Sequence, residues 1–261
     1  MVRQDLHIHT SLSLCAKPTA VAADYIKAAK AMGLSVIAFT NHMWDSAIPG
    51  ASNWYSKQDF NHILPLKEEL PAEEKGLKIL FGCECECDKN GTVAISREVA
   101  QQMDVLLVPH SHTHMRDFVI PAELADDAQK HGDFLVRHFM DIMESPVADL
   151  ITAIPHPFHP CGYRPYADVI NAISDKALEE CCKAAKQNGI ALEINTGCYA
   201  GMLADEIADY ALTRVYTIAR EVGCRFTIGS DSHDIPSMFT LPRAEYQMKA
   251  AGITDGMLLS F

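Results

Sequence analysis

Short apolar runs and helical segments alternate along nearly the whole chain. Val2–His7 predicts a first strand, and Ala20–Met32 an alanine-rich helix that Gly33 closes. Ser35–Thr40 predicts the second strand, Asp59–Leu70 a helix in spite of Pro65, and Lys78–Gly82 the third strand. A short helix over Arg97–Met103 precedes a fourth strand at Val105–Val108. A longer one over Pro121–Met143, broken near Gly132, precedes a fifth at Leu150–Ile154. Asp175–Asn188, capped by Gly189, leads to a sixth strand at Ala191–Asn195, and Ala204–Glu221 leads to a seventh at Arg225–Gly229. In that last helix Ile207, Ala208, Ala211, Leu212, Val215 and Ile218 share one face. Met43–Lys57 breaks the rhythm: it holds both tryptophans with Pro49 and Gly50 and reads as a long loop, the kind that serves as a lid or binding loop.

Strands and helices in strict alternation imply a parallel sheet, open or closed. The polar residues favour closure. His42, Glu84, His110, His156, Glu193 and Asp231 each fall at or just past the C-terminal end of a predicted strand. Barrels of this kind build active sites from the ends of several strands, whereas an open doubly wound sheet binds at one switch point. No glycine-rich phosphate loop is present either.

Composition narrows the function classes. At 261 residues with 48% hydrophobic content the chain can bury a substantial core. It has no apolar run of the roughly 20 residues needed to span a bilayer and no basic-then-apolar leader, so a cytoplasmic protein without membrane contact is expected. Nine cysteines, an odd number at irregular spacings, read as reduced core thiols. A formal charge of -12 argues against an extended nucleic-acid surface. A small anionic substrate stays open, because bound divalent ions reverse the local sign.

The chemistry starts at Asp5-Leu6-His7-Ile8-His9-Thr10. Strand alternation puts Leu6 and Ile8 on one face and His7 and His9 on the other, with the two histidine Cα atoms about 7 Å apart. Two imidazoles so placed can share a metal ion. Later strand ends add His42, Glu84, His110, His156, Asp231 and His233. This donor set suits zinc, manganese or iron, exceeds what one tetrahedral ion can use, and offers Glu84 as a bridge between ions.

DLHIHT at 5–10, TNH at 40–42, GCE at 82–84, PHP at 155–157, EINTG at 193–197 and GSDSH at 229–233 together resemble the PHP (polymerase and histidinol phosphatase) family. The resemblance implies an α/β fold, a distorted (β/α)7 TIM-like barrel occupying 1–261 as one domain, with the active site at the C-terminal strand ends. It further implies two to three divalent ions, zinc first, with manganese or iron as alternatives. His7, His9, Glu84 and Asp231 would form the first site, Glu84, His110 and His156 the second, and His42 with His233 part of the third. Two places depart from the pattern. Cys15 stands where many relatives place His or Asp, and a thiolate can serve as a zinc ligand. His110-Ser111-His112-Thr113-His114 replaces a single strand-end histidine; strand register favours His110, and His112 shares its parity as the alternative ligand.

Other residues read more plainly. Cys83, Cys85 and Cys87 share a face with Ile79 and Phe81 and are expected in the core facing the helices, not on a metal. Glu86 shares the parity of Glu84. His62, His131 and His138 lie in helical segments as surface or core residues. Glu193 and Asn195 point into the rim, and Arg116 and Arg164 follow metal-bearing strands in loops; these four are candidate substrate contacts, arginine being suited to bidentate phosphate recognition.

The expected activity is hydrolysis of a small phosphomonoester, histidinol phosphate or another metabolite, by a hydroxide held between two ions, with Glu84, Asp231 and His233 as the catalytic residues. A nucleotide or oligonucleotide phosphoesterase is the alternative, and a catalytically silent PHP binding module a further one. A C–N hydrolase of the wider metal-dependent barrels is disfavoured, because no strand end carries the lysine such sites use.

Overall fold

The computed structural model describes residues 2–199 and 201–261. Seven parallel strands follow one another in chain order: β1 (Gln4–Ile8), β2 (Val36–Met43), β4 (Leu77–Cys85), β5 (Val105–Leu107), β6 (Ala153–Ile154), β7 (Ala191–Asn195) and β8 (Phe226–Gly229). The short β3 (Glu73–Glu74) pairs antiparallel with the start of β4. The ends of the sheet meet. Asp231 N–H donates to His7 C=O and His9 N–H to Ser232 C=O, each at 2.9 Å, which joins β8 to β1 and nearly closes a barrel.

Its interior is a small plug of Leu6, Val36, Ala38, Leu80, Val105, Leu107, Ala153 and Ala191. The opposite strand faces pack against the surrounding helices in a larger core that holds Ile79, Phe81, Cys83, Cys85 and Cys87, the three thiols being fully buried. The inner side of β4 therefore runs Leu80, Gly82, Glu84. At Gly82 a Cβ would stand 2.0 Å from the Val105 carbonyl oxygen, so only glycine lets β5 pair here. Above the apolar plug His7, His42, Glu84, Glu193 and Asp231 stand at or just past the ends of β1, β2, β4, β7 and β8, and that is where the site lies.

Strand β1 corrects the simple alternation. Leu6 joins the interior plug while Ile8 joins the outer core, so the two do not share a face. The pairing explains it: Asp5 sits opposite Ile37 and Ile8 opposite Phe39, so the register shifts between them. The bulge spends one extra residue there and aims His7 inward directly after Leu6.

Helices match the reading where caps were visible. α6 (Asp175–Asn188) is N-capped by Ser174 and ended by Gly189 at φ 72. The predicted Pro121–Met143 helix is instead a 3-10 turn (Ala122–Leu124) followed by α4 (Ala128–Met143), N-capped by Asp127. It is unbroken at Gly132, where a Cβ would lie 3.0 Å from Ile173 Cγ1; the glycine permits close packing, not a kink. Ala204–Glu221 divides at the extended Tyr210 into α7 (Ala204–Asp209) and α8 (Ala211–Val222). Trp44, expected in a lid, is 1% exposed and donates from Nε1 to the Ile48 carbonyl, so it belongs to the core. Among the described residues no helix is long and apolar enough to cross a membrane.

Candidate metal centre

A cleft of about 810 Å³ between α6 and α8 holds only surface side chains such as Glu179, Lys183 and Glu221. The chemistry lies in a cavity of about 590 Å³ at the C-terminal strand ends, with His42, His112, His156, Asp231 and His233 among its lining residues. Glu84, at the end of β4, organises what lies beneath. Its Oε2 is 3.4 Å from His7 Nε2, 3.5 Å from His9 Nε2 and 3.0 Å from His42 Nδ1. Its Oε1 is 3.1 Å from His156 Nε2 and 3.5 Å from His112 Nε2. Asp231 Oδ1 closes the other side at 3.5 Å from His7 Nε2 and 3.3 Å from His9 Nε2. The ligand-type atoms form three overlapping groups: His7, His9 and Glu84; Glu84, His112 and His156; and His9, His42 and His233.

These atoms fit divalent ions better than they fit one another. Glu84 Oε2 and His42 Nδ1 are buried 3.0 Å apart, yet neither has a hydrogen-bond partner. Buried polar atoms are ordinarily paired, so two unpartnered atoms within groups of this donor type fit a divalent cation. His7 Nε2 and His9 Nε2 also face each other at 3.0 Å.

The fields agree. Burial works to raise the Glu84 carboxyl, but His7, His112 and His42 hold it well below the usual carboxylate range. Burial, then His233 and His42, push His9 well below the ordinary imidazole value, keeping it a neutral donor. Burial opposes charge on His112 too, but Glu86 and Glu84 lift it to about 9.

One device orients most of the ring nitrogens. His7 gives Nδ1 to Glu193 at 2.9 Å, His9 to Ser13 Oγ at 3.0 Å, His112 to Glu86 at 2.8 Å and His156 to Ser111 Oγ at 2.7 Å. Nε2 is thereby left for the centre, with the tautomer assigned from the partner oxygen. Tyr55 OH donates to the same Glu86 at 2.6 Å. Below, Asp5 accepts from Ser230 N–H at 2.8 Å and His7 N–H at 3.3 Å, and burial pushes its carboxyl up to about 7.

Several expectations change. His110 lies outside the cluster: its Nδ1 is 3.1 Å from the Leu135 carbonyl, and its Nε2 accepts from Phe158 N–H at 2.9 Å. Leu106 and Val108 face the outer core, and His110 continues that face against Phe139 and Phe158. His112 reaches Glu84 instead, from the loop beyond the strand. Cys15 lines the cavity, but among the described residues the three groups form without its thiol, which burial and then Glu84 push up to about 12.

Glu193 and Asn195 are committed to the centre's support. Glu193 accepts from His156 N–H at 3.0 Å as well as holding His7, and Asn195 Nδ2 donates to Glu193 at 2.9 Å and to Asp231 at 3.3 Å. Arg116 forms a two-pronged exposed pair with Asp126, away from the cavity. Arg164 lies over the Tyr166 ring at 4.9 Å beside a neighbouring cavity lined by His159, Gly197 and Tyr210. Sequence reasoning did not find Ser13, Ser111 or Tyr55; only Glu86 carried a signal, its parity with Glu84.

Alanine replacements separate the two histidines. His112→Ala is expected to lower metal content, while His110→Ala keeps it and costs about 2 kcal/mol of stability, because the Leu135 carbonyl and Phe158 N–H lose their partner. Elemental analysis beside thermal melts reads both; metal loss in His110→Ala alone would reverse the assignment.

A PHP domain family model matches residues 5–197. A curated protein of Clostridium botulinum (strain Langeland), named "Probable phosphatase", is 23% identical over 98% of this chain and 89% of its own length. One of the same description from Thermoanaerobacter sp. (strain X514) is 24% identical over 98% and 89%. Among solved structures, histidinol phosphate phosphatase from Lactococcus lactis, complexed with zinc, L-histidinol and phosphate, superposes with a TM-score of 0.69. It shares 19% identity and covers 97% of this chain and 94% of that one, a likeness of fold.

Proposed function

We propose, from the premise that the chain belongs to the PHP domain family, that it is a metal-dependent phosphoesterase acting on small phosphomonoesters. The observation that carries this reading is Glu84, whose two carboxylate oxygens each face a different set of imidazoles, the arrangement of a carboxylate between two cations. The phosphatase names of full-length relatives, and the zinc and phosphate in the Lactococcus structure, support it.

Divalent ions held there would lower the pKa of water towards neutrality and offset charge on phosphoryl oxygens. His7, His9, Glu84 and Asp231 would hold one ion, and Glu84, His112 and His156 a second. His42 and His233 would hold a third, with Cys15 at the rim as a further candidate, because the one free nitrogen of His9 can serve a single ion. Glu193, Ser13, Glu86 and Ser111 fix the rings by holding their Nδ1 atoms. His233, 32% exposed at the mouth, is the member placed to hand a proton to a departing alkoxide when it is not itself a ligand. An oligonucleotide substrate has less support, since among the described residues no Lys or Arg lines the cavity.

Stripping the protein with a chelator and reloading it with zinc, manganese or iron(II) tests the reading. Phosphate release from a panel of metabolite phosphomonoesters is expected to vanish and to return in proportion to metal bound. Equal release by the stripped protein, or none by the fully loaded one, would overturn it.

A further inference from the structure

The wall of the metal-site cavity has a chemistry of its own. Above the histidines it is built from Trp54, Tyr55, Met115 and Phe118. The rings form one continuous surface: Trp54 meets Tyr55 edge-on at 4.7 Å between centroids, and Tyr55 lies nearly parallel to Phe118 at 5.8 Å. Trp54 also reaches the centre, its ring 5.3 Å from that of His42. Tyr55 is 1% exposed and its hydroxyl is spent on Glu86, so it backs the wall from behind and leaves Trp54 and Phe118 to meet the cavity.

Charge is the second observation. Among the described residues lining the cavity the single carboxylate is Asp231, already engaged by His7 and His9, and there is no Lys or Arg. An ammonium group on a substrate would find no free acidic partner, and a second anionic group no cation outside the metal centre. A row of sugar hydroxyls would find Ser52 and His114 outside the histidine centre and otherwise mostly carbon and sulfur, and buried hydroxyls without partners are costly. About 590 Å³ leaves room for a ring beside the phosphoryl group.

We infer that the site selects phosphomonoesters of uncharged aromatic alcohols, aryl and arylalkyl phosphates, with the ring seated against Trp54 and Phe118. This rests on the phosphoesterase reading and names the substrate class within it. In the reaction a water oxygen bonds to phosphorus and the bond from phosphorus to the alcohol oxygen breaks. The aromatic alcohol leaves with a proton, and inorganic phosphate remains. The aromatic wall takes no part in bond making; it sets which alcohol is held in line.

Two measurements on the metal-loaded protein decide the matter. The first compares kcat/KM for 2-phenylethyl phosphate and 1-naphthyl phosphate with those for glycerol, sugar and histidinol phosphates. The aromatic esters are expected to lead by about tenfold or more. Trp54→Ala and Phe118→Ala are each expected to shrink that lead about tenfold through KM, and Trp54→Phe to keep most of it. The second titrates 2-phenylethylphosphonate, which is not hydrolysed, against methylphosphonate and 2-aminoethylphosphonate by calorimetry; the aromatic ligand is expected to bind about tenfold more tightly. Histidinol or glycerol phosphate turned over as well as the aromatic esters, or equal phosphonate affinities, would overturn the inference. If no ester is hydrolysed, the phosphoesterase reading falls, and the phosphonate order still judges the wall.

Discussion

Glu84→Gln is expected to yield a folded protein that binds fewer ions per chain and loses at least about a thousandfold in kcat. The substitution keeps the shape of the side chain and removes its charge. Both oxygens are in use, Oε2 towards His7, His9 and His42 and Oε1 towards His156 and His112, so no amide orientation can serve both groups of imidazoles. An amide nitrogen on either side would point its protons at the lone pairs that should meet a cation. Far-UV circular dichroism, elemental analysis and phosphate release on one preparation read fold, metal and turnover separately. Full activity with full metal loading would sink the bridging role.

Gly229→Ala is expected to cost about 3 kcal/mol and to lower Tm by about 10 °C, with activity down at least about a hundredfold. A Cβ at this position would lie 2.0 Å from Glu193 Oε1 and 2.5 Å from His7 Cβ. The Glu193 carboxylate has nowhere to go, because His7 Nδ1, His156 N–H and Asn195 Nδ2 all hold it. Moving it releases the His7 ring; leaving it parts β8 from β1. Differential scanning calorimetry with and without added zinc checks this, and a wild-type Tm with undiminished metal content would show that the neighbours yield without consequence.

Sequence patterns carried the fold wherever the signal was local. α6 is bounded by Gly189 at its end, and β7 by the alternation of Ala191, Glu193 and Asn195 with Leu192 and Ile194. The candidate ligands fixed by strand ends, Glu84 and Asp231, are legible for the same reason. What escaped depended on distant partners. The β1 bulge exists only in the register with β2; it turns Leu6 to the side of His7, while His7, Ile8 and His9 keep the alternation that predicts the two histidines' convergence. His110 was favoured by carrying strand register past Leu107, when the outward faces of Leu106 and Val108 already placed it with the core. Trp44 and Trp54 looked alike in one loop; only the packing of Tyr55 and Phe118 sends the first inward and leaves the second on the cavity. The Tyr55–Glu86–His112 chain joins three segments that no short-range pattern links.

The seam between β1 and β8 also dictates an order of events during synthesis. His7 and His9 leave the ribosome long before Asp231 and His233, which complete their groups. A nascent chain can assemble Glu84, His112 and His156 well before the groups containing His9 and Asp231 are whole. Until β8 arrives, β1 also lacks a neighbour on one edge and stays open to wrong pairing. The groups that contain His9 and Asp231 are therefore whole only once β8 has docked, so their assembly reports that the barrel has closed.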